Sequence, residues 1–172
     1  MASNIEIKAR IDISAALIHK LATISDENPS EIAQDDTFFA CANGRLKLRA
    51  FPNGTGQLIF YRRSNQHGPK QSFYVISATS EPDALREVLS EAYGRVGRVE
   101  KQRTVYVIGR TRIHLDRVKG LGDFLELEVV LGDGDSTAAA VNEAQALMEQ
   151  LGVKPSQLID GAYVDLLAGQ VF

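Results

Sequence analysis

The stretch Asn4-Ile5-Glu6-Ile7-Lys8-Ala9-Arg10-Ile11 alternates strictly between polar and aliphatic residues. A period of two marks a strand with one buried face, and it gathers Asn4, Glu6, Lys8 and Arg10 on the other face. One such strand is common. Here the pattern returns along the chain, and its recurrence decides the fold.

Arg45-Leu46-Lys47-Leu48-Arg49 alternates in the same way, with three cations on one side. Asn43-Gly44 before it is a strong hairpin signal, joining it to a short strand at 37–40. Further strands are expected at 57–63, from Lys70 to about residue 75, at 96–108, at 112–116 and at 124–130. Their parity adds Arg63, Lys70, Lys101, Arg103 and Arg112 to the polar face. His114 and Asp116 share the side of Arg112. Glu126 and Glu128 stand opposite Leu125, Leu127 and Val129. Residues 26–35, polar and holding Pro29, read as a loop. Helical spacing predicts three longer helices, over 14–25 with Ser14 or Asp12 as cap, from an N-cap at Ser80 to residue 93, and from Ser136 to residue 151. Gly94 and Gly152 stop the last two. Pro155 opens a short helix, and 163–167 read as a final helical turn.

The 172 residues suit one domain spanning 1–172, large enough to bury a core without disulfides. With 19 basic and 22 acidic residues the net charge is −3, so no basic excess points to nucleic acid or an anionic membrane as partner. Cys41 is the only cysteine, which excludes an intramolecular disulfide and a zinc site built from Cys pairs. No apolar run has the length of a membrane span and no signal-peptide core is present, so a cytoplasmic location is expected.

About eight strands joined by short turns make an antiparallel sheet, either open or closed on itself. In an open sheet the polar faces would meet water, and neighbouring strands would set like charges side by side at a cost. Closing the sheet with those faces inward gives a tunnel lined by cations beside a smaller acidic group. The aliphatic faces then point outward, and the helices cover them. The expected fold is therefore α+β: a closed eight-stranded antiparallel β-barrel with helices packed on its outside. Hard divalent ions such as Mg2+ or Mn2+ take carboxylate oxygens, and Glu-x-Glu on a strand aims two carboxylates to one side, about 6–7 Å apart along the strand. Lys and Arg complement phosphate oxygens. The combination is equipment for phosphoryl chemistry on a highly charged substrate.

Over essentially its full length the chain resembles the CYTH superfamily, the triphosphate tunnel metalloenzymes, and within it the bacterial group related to class IV adenylate cyclases. The resemblance rests on ordered motifs. They are Asn4-Ile5-Glu6-Ile7-Lys8, Asp36-Thr37-Phe38-Phe39, Gly44-Arg45-Leu46-Lys47-Leu48-Arg49, Lys101-x-Arg103, Arg112-Ile113-His114-Leu115-Asp116 and Gly122-Asp123-Phe124-Leu125-Glu126-Leu127-Glu128. It implies Mg2+ or Mn2+ held by Glu6, Asp116, Glu126 and Glu128. It further implies triphosphate contacts from Lys8, Arg45, Lys47, Arg49, Arg63, Lys70, Lys101, Arg103 and Arg112, with Glu6, Lys8, Glu126 and Glu128 central to catalysis. Substrates implied are ATP, thiamine triphosphate or inorganic triphosphate.

No Ser-His-Asp or Cys-His set and no Walker-type loop is evident, so the nucleophile is external. Water gives hydrolysis; the substrate's ribose 3′-hydroxyl gives cyclic AMP and pyrophosphate. His114 reads as a partner of Asp116 or of substrate phosphate, Tyr61 and Tyr74 as lining, and Tyr163 as packing. The loop from Ser64 to Pro69 is placed to read the group beyond the triphosphate. The oligomeric state, monomer or homodimer, stays open. One residue departs from the motif: Asn4 stands where the signature has its first Glu, which leaves non-catalytic triphosphate or polyphosphate binding as a third reading. An amide oxygen ligates a hard cation without adding charge. Asn4→Glu is therefore expected to tighten Mn2+ binding measured by calorimetry, and an unchanged affinity would place Asn4 away from the metal.

Overall fold

A computed structural model describes residues 2–64 and 66–169. Eight strands carry the architecture: β1 Ala2–Arg10, β2 Ser30–Phe39, β3 Arg45–Ala50, β4 Gly56–Arg63, β5 Lys70–Thr79, β6 Arg95–Ile108, β7 Thr111–Val118 and β8 Gly122–Leu131. Every pairing is antiparallel. The ring runs β1-β5-β4-β3-β2-β6-β7-β8 and closes on itself. The expected closed barrel is thus the fold. Four helices lie outside it: α1 Ala15–Ile24, α2 Pro82–Tyr93, α3 Thr137–Gln150 and α4 Tyr163–Ala168. No helix among the described residues is long and apolar enough to cross a membrane.

Register explains why the aliphatic residues sit outside. Ile5 and Ile7 pair with Val129 and Leu127, and Leu127 with Ile113, so the outer faces of β1, β8 and β7 form one apolar sheet. Helix α3 lays Ala140, Ala144 and Met148 on that sheet and α1 adds Leu21. The small alanines at i and i+4 let α3 approach closely. Each fully buried Leu in this layer contributes roughly 1.5–3 kcal/mol. Helix α2 covers Phe39 and Leu48 through Leu89. Ser14 and Ser136 cap their helices through their side chains, accepting from Leu17 N and Ala139 N.

Three local expectations change. Strand β2 begins at Ser30, so residues 30–35 belong to the barrel and not to a loop. They pair with β6 from Ser30↔Val105 to Asp35↔Glu100. Apolar alternation missed them because the inward set, Ser30, Ile32, Gln34, Asp36 and Phe38, mixes polar and apolar side chains. The N-cap of α2 is Glu81, not Ser80, and it makes no side-chain cap bond; Thr79 Oγ1 accepts from the Glu81 N–H. The hairpin signal at Asn43-Gly44 marks a real β2–β3 turn, yet Gly44 is needed for closeness and not for a left-handed backbone. A Cβ there would lie 2.7 Å from the Tyr61 carbonyl oxygen. Gly94, by contrast, ends α2 at φ 79°, where a side chain is strained.

Helix α4 and the residues before it close one end of the barrel. Phe124 at the start of β8 stacks with Tyr163 at 4.9 Å, and Phe38, Val99, Val118 and Val164 complete the cluster. Gly97 on β6 makes room for this floor, since a Cβ there would collide with Cγ2 of Val164. Gly97→Ala is expected to lower stability by about 1–3 kcal/mol through overpacking. Combining it with Val164→Ala should recover part of that loss; thermal denaturation of the two variants checks both.

Candidate active site

The inward faces enclose a cavity of about 370 Å³. Seven cations line it: Lys8 from β1, Lys47 and Arg49 from β3, Arg63 from β4, Lys101 and Arg103 from β6, and Arg112 from β7. Four carboxylates line it too, Glu6, Asp36, Glu126 and Glu128, together with His114, Tyr61, Tyr74 and Tyr163. Larger and more open grooves lie elsewhere on the molecule, of about 550 and 620 Å³. Among the described residues, the barrel interior is the cavity that gathers buried cations, carboxylates and a histidine in one place.

Strand parity puts these groups on the inner face, and ion pairs arrange them there. Asp36 accepts from Arg49 Nε and Nη2, both at 2.8 Å, and from Lys47 Nζ at 2.9 Å, with Lys101 Nζ 3.9 Å away. Arg103 grips Asp116 with two bonds of 2.7 Å and reaches Glu126 at 3.2 Å. Glu126 also meets Lys8 at 3.1 Å and His114 Nδ1 at 3.3 Å. Arg112 pairs with Glu128 at 2.9 Å, and Arg63 with Glu6. Counting Asp116, seven cations face five carboxylates. The interior carries an excess of positive charge inside a chain of net charge −3.

Burial and pairing act against each other on these groups. Burial alone would raise Asp36, but the charges of Lys47 and Arg49 overrule it and hold the carboxyl well below its usual value. Arg103 does the same for Asp116, and Lys8 with Arg103 for Glu126. Lys47 is pulled down to about 8 by burial and by Arg49 beside it. Burial and Arg103 push Lys101 well below an ordinary lysine. Tyr61 is raised to about 12, chiefly by burial. Tyr163 is also raised, by burial and by Asp116, so its hydroxyl keeps its proton and donates it at 2.7 Å to Asp116.

Most residues expected at the site meet in this cavity, and three do not. Arg45 has the right parity but sits at the rim, held by both carboxylate oxygens of Asp165 on α4. Lys70 is buried at 1% exposure and turns to the loop backbone, donating to the carbonyls of Asp160 at 2.9 Å and Gln66 at 3.4 Å. Asp116 lies beneath the lining, fully buried, with both oxygens bonded to Arg103 and one shared with Tyr163. The partner of His114 is Glu126, not Asp116. Of the loop from Ser64 to Pro69, Asn65 lies outside the described residues.

Two residues of the cavity carry little signal in the sequence. Asp36 stands out only as part of a motif, because the first half of its strand lacks apolar alternation. Tyr163 had no signal: it enters from a helix, lies 4.0 Å below Lys8 Nζ and 5.1 Å from Lys101 Nζ, and closes the cavity floor. For a divalent ion the best donor set is His114, Glu126 and Glu128, whose ligand atoms lie within 4.8 Å of one another. Asn4 lines the same cavity, its Oδ1 buried and, among the described residues, without a hydrogen-bond partner. Such an orphan oxygen is costly unless something meets it.

Comparison with known proteins agrees with this geometry. Adenylate cyclase CyaB of Aeromonas hydrophila is 23% identical over 166 residues, 92% of this chain and 85% of CyaB. The structure of PH1012 from Pyrococcus horikoshii OT3 superposes with a TM-score of 0.84 at 19% identity, covering 95% of this chain and 99% of PH1012. HpAC1 from Hippeastrum, described as an adenylyl cyclase candidate with a dominant triphosphatase activity, superposes at 0.68 with 15% identity over 100% and 98% of the two chains. At these identities the two structures establish a shared fold. The CYTH domain model matches residues 2–163, from the first strand to the tyrosine on the cavity floor, and the chain belongs to the CYTH family.

Proposed function

We propose that the protein is a divalent-metal-dependent enzyme that cleaves a phosphoanhydride bond of a triphosphate held in the barrel. The observation that carries this reading is the joint lining of one cavity by seven cations and by His114, Glu126 and Glu128 at metal-binding separation. Two carboxylates and an amide oxygen are hard donors suited to Mg2+ or Mn2+, and an imidazole is better accepted by Mn2+. The residues present therefore fit such an ion. When bound, it would supply Lewis acidity to a phosphate oxygen and lower the pKa of an attacking hydroxyl or water.

The remaining chemistry belongs to the chain. Arg49, Arg63, Arg103 and Arg112 offer planar forks to phosphate oxygens, and Lys8, Lys47 and Lys101 add point charges. Asp116 and the Tyr163 hydroxyl fix the Arg103 fork in one orientation, so it need not reorganise as charge develops. Pairing of the lining with five carboxylates keeps the cavity ordered before substrate arrives. To the carboxylates that the resemblance implies as metal ligands this assignment adds His114: it sits with Glu126 and Glu128, Glu6 lines the same cavity paired with Arg63, and Asp116 is paired with Arg103 behind them. A cytoplasmic enzyme of small triphosphates is part of the same proposal.

A second reading has its own support. Identity to CyaB over 92% of the chain favours ATP cyclisation, in which the ribose 3′-hydroxyl attacks the α-phosphorus and pyrophosphate leaves. The dominant triphosphatase activity described for HpAC1 favours hydrolysis on the same fold. Incubation with ATP, thiamine triphosphate and inorganic triphosphate, each with Mg2+ or Mn2+, separates them. Orthophosphate marks hydrolysis and cyclic AMP with pyrophosphate marks cyclisation, whereas binding without product refutes both. Glu126→Gln with Glu128→Gln is expected to cut metal-dependent turnover by about a thousandfold or more, as loss of a principal transition-state electrostatic element does. Circular dichroism should show the barrel intact; undiminished turnover would refute the carboxylate assignment.

A further inference from the structure

One carboxylate in the cavity has no part in the chemistry above. Asp36 on β2 is 1% exposed and gathers the cations of two neighbouring strands, Lys47 and Arg49 from β3 and Lys101 from β6. Strand β3 lies four strands from β8 in either direction round the ring, so this cationic group faces the wall that carries Glu126 and Glu128. A triphosphate spanning the cavity would have the metal donors on one side and the Asp36 group on the other.

We propose that Asp36 is a positioning residue for the triphosphate: its carboxylate holds Lys47, Arg49 and Lys101 together, charged and aimed into the cavity, for substrate phosphate to engage. This rests on the triphosphate reading of the cavity. Three buried cations at one site repel each other, and without a shared anion they would splay apart or lose protons. Lys47 faces Arg49, Arg103, Asp36 and the ring of Tyr61. Of these only Asp36 is an anion. Lys101 faces Arg103, Arg49, Asp36, Asp116 and the ring of Tyr163. Asp116, paired with Arg103, and Asp36 both favour its charged form, and Asp36 is the one that it shares with Lys47 and Arg49. The geometry around Arg49 adds direction, because a bond from each of two guanidinium nitrogens fixes the plane of the fork.

The sign of the effect follows. Lys47, already at about 8, and Lys101, also lowered, are both raised toward the charged form by Asp36. Neutralising Asp36 lets both fall further, so phosphate binding is lost at a lower pH. At acid pH Lys47, at about 8, stays charged in either protein, and removing a competing anion leaves binding equal or tighter. A merely structural role would weaken binding by the same factor at every pH.

The test is calorimetry with inorganic tripolyphosphate, without metal, from pH 6 to pH 9.5. Wild-type affinity is expected to fall as pH rises through about 8. In Asp36→Asn the midpoint of that fall should move down by about one pH unit, giving about tenfold weaker binding near pH 8 and none of that loss at pH 6. Asp36→Glu, which keeps the charge, should return toward the wild-type profile. Should Asp36→Asn fail to fold, Asp36→Asn with Lys101→Met removes one charge of each sign and is expected to show the same early loss through Lys47. A profile for these neutral variants that parallels the wild type overturns the inference. A wild-type protein that binds no tripolyphosphate at any pH overturns the triphosphate reading instead.

Discussion

Twelve ionised side chains inside one barrel can persist only because each carboxylate serves a cation across the strand ladder. Removing a partner from a buried pair leaves an uncompensated charge, at a cost of roughly 3–5 kcal/mol. Pairs of this kind add little stability over well-packed apolar residues. Their presence here is therefore better explained by what the interior must bind than by folding. The core that stabilises the protein is elsewhere, on the outside of the strands, where Ile5, Leu127, Ile113 and their neighbours meet α1 and α3. The molecule is inside out relative to a sandwich, with apolar surface outward under helices and ionic surface inward.

That inversion made much of the fold legible in the sequence. In β1, β3, β7 and β8 the inward residues are nearly all charged and the outward ones nearly all aliphatic, so a period of two identifies both the strand and its polar face. The ring then follows from the need to pair like-charged strands with carboxylates. Strand β2 was harder, because Ile32 and Phe38 point inward beside Gln34 and Asp36 and the contrast between faces disappears. Its N-terminal half has the composition of a loop, and the carboxylate beside three cations carries no periodic signal of its own.

Parity also has a limit that Arg45 and Lys70 expose. It states which face a side chain occupies and says nothing of height along the barrel axis or of what else competes for it. Arg45 shares the face of Lys47 and Arg49 but stands at the rim, where Asp165 of α4 takes it. Lys70 shares the face of Ser72 and Tyr74 but meets the Asp160 carbonyl. Both partners come from the C-terminal segment, 90 and 120 residues away in sequence, and no local pattern announces them. Tyr163 belongs to the same class, since a helix residue enters the cavity only after the chain has crossed the barrel's end.

The resting ion pairs bear on how a triphosphate and a metal would share the site. Glu126 is engaged by Lys8, Arg103 and His114, and Glu128 by Arg112, so in this state the carboxylates of the metal wall and the cations nearest them neutralise one another. On the proposed reading, those carboxylates would give up their cations to hold a divalent ion, and the freed cations would be the ones a phosphate oxygen needs. Each ligand then lowers the cost of seating the other, and linkage makes that help reciprocal. The Asp36 group on the facing wall is different in kind. Its anion is bound by four nitrogens from three residues across two strands and has no metal to go to, so it remains as the fixed part of the cavity. One wall exchanges partners and the other holds its own in place, which is the arrangement needed to grip a substrate at one end while its chemistry occurs at the other.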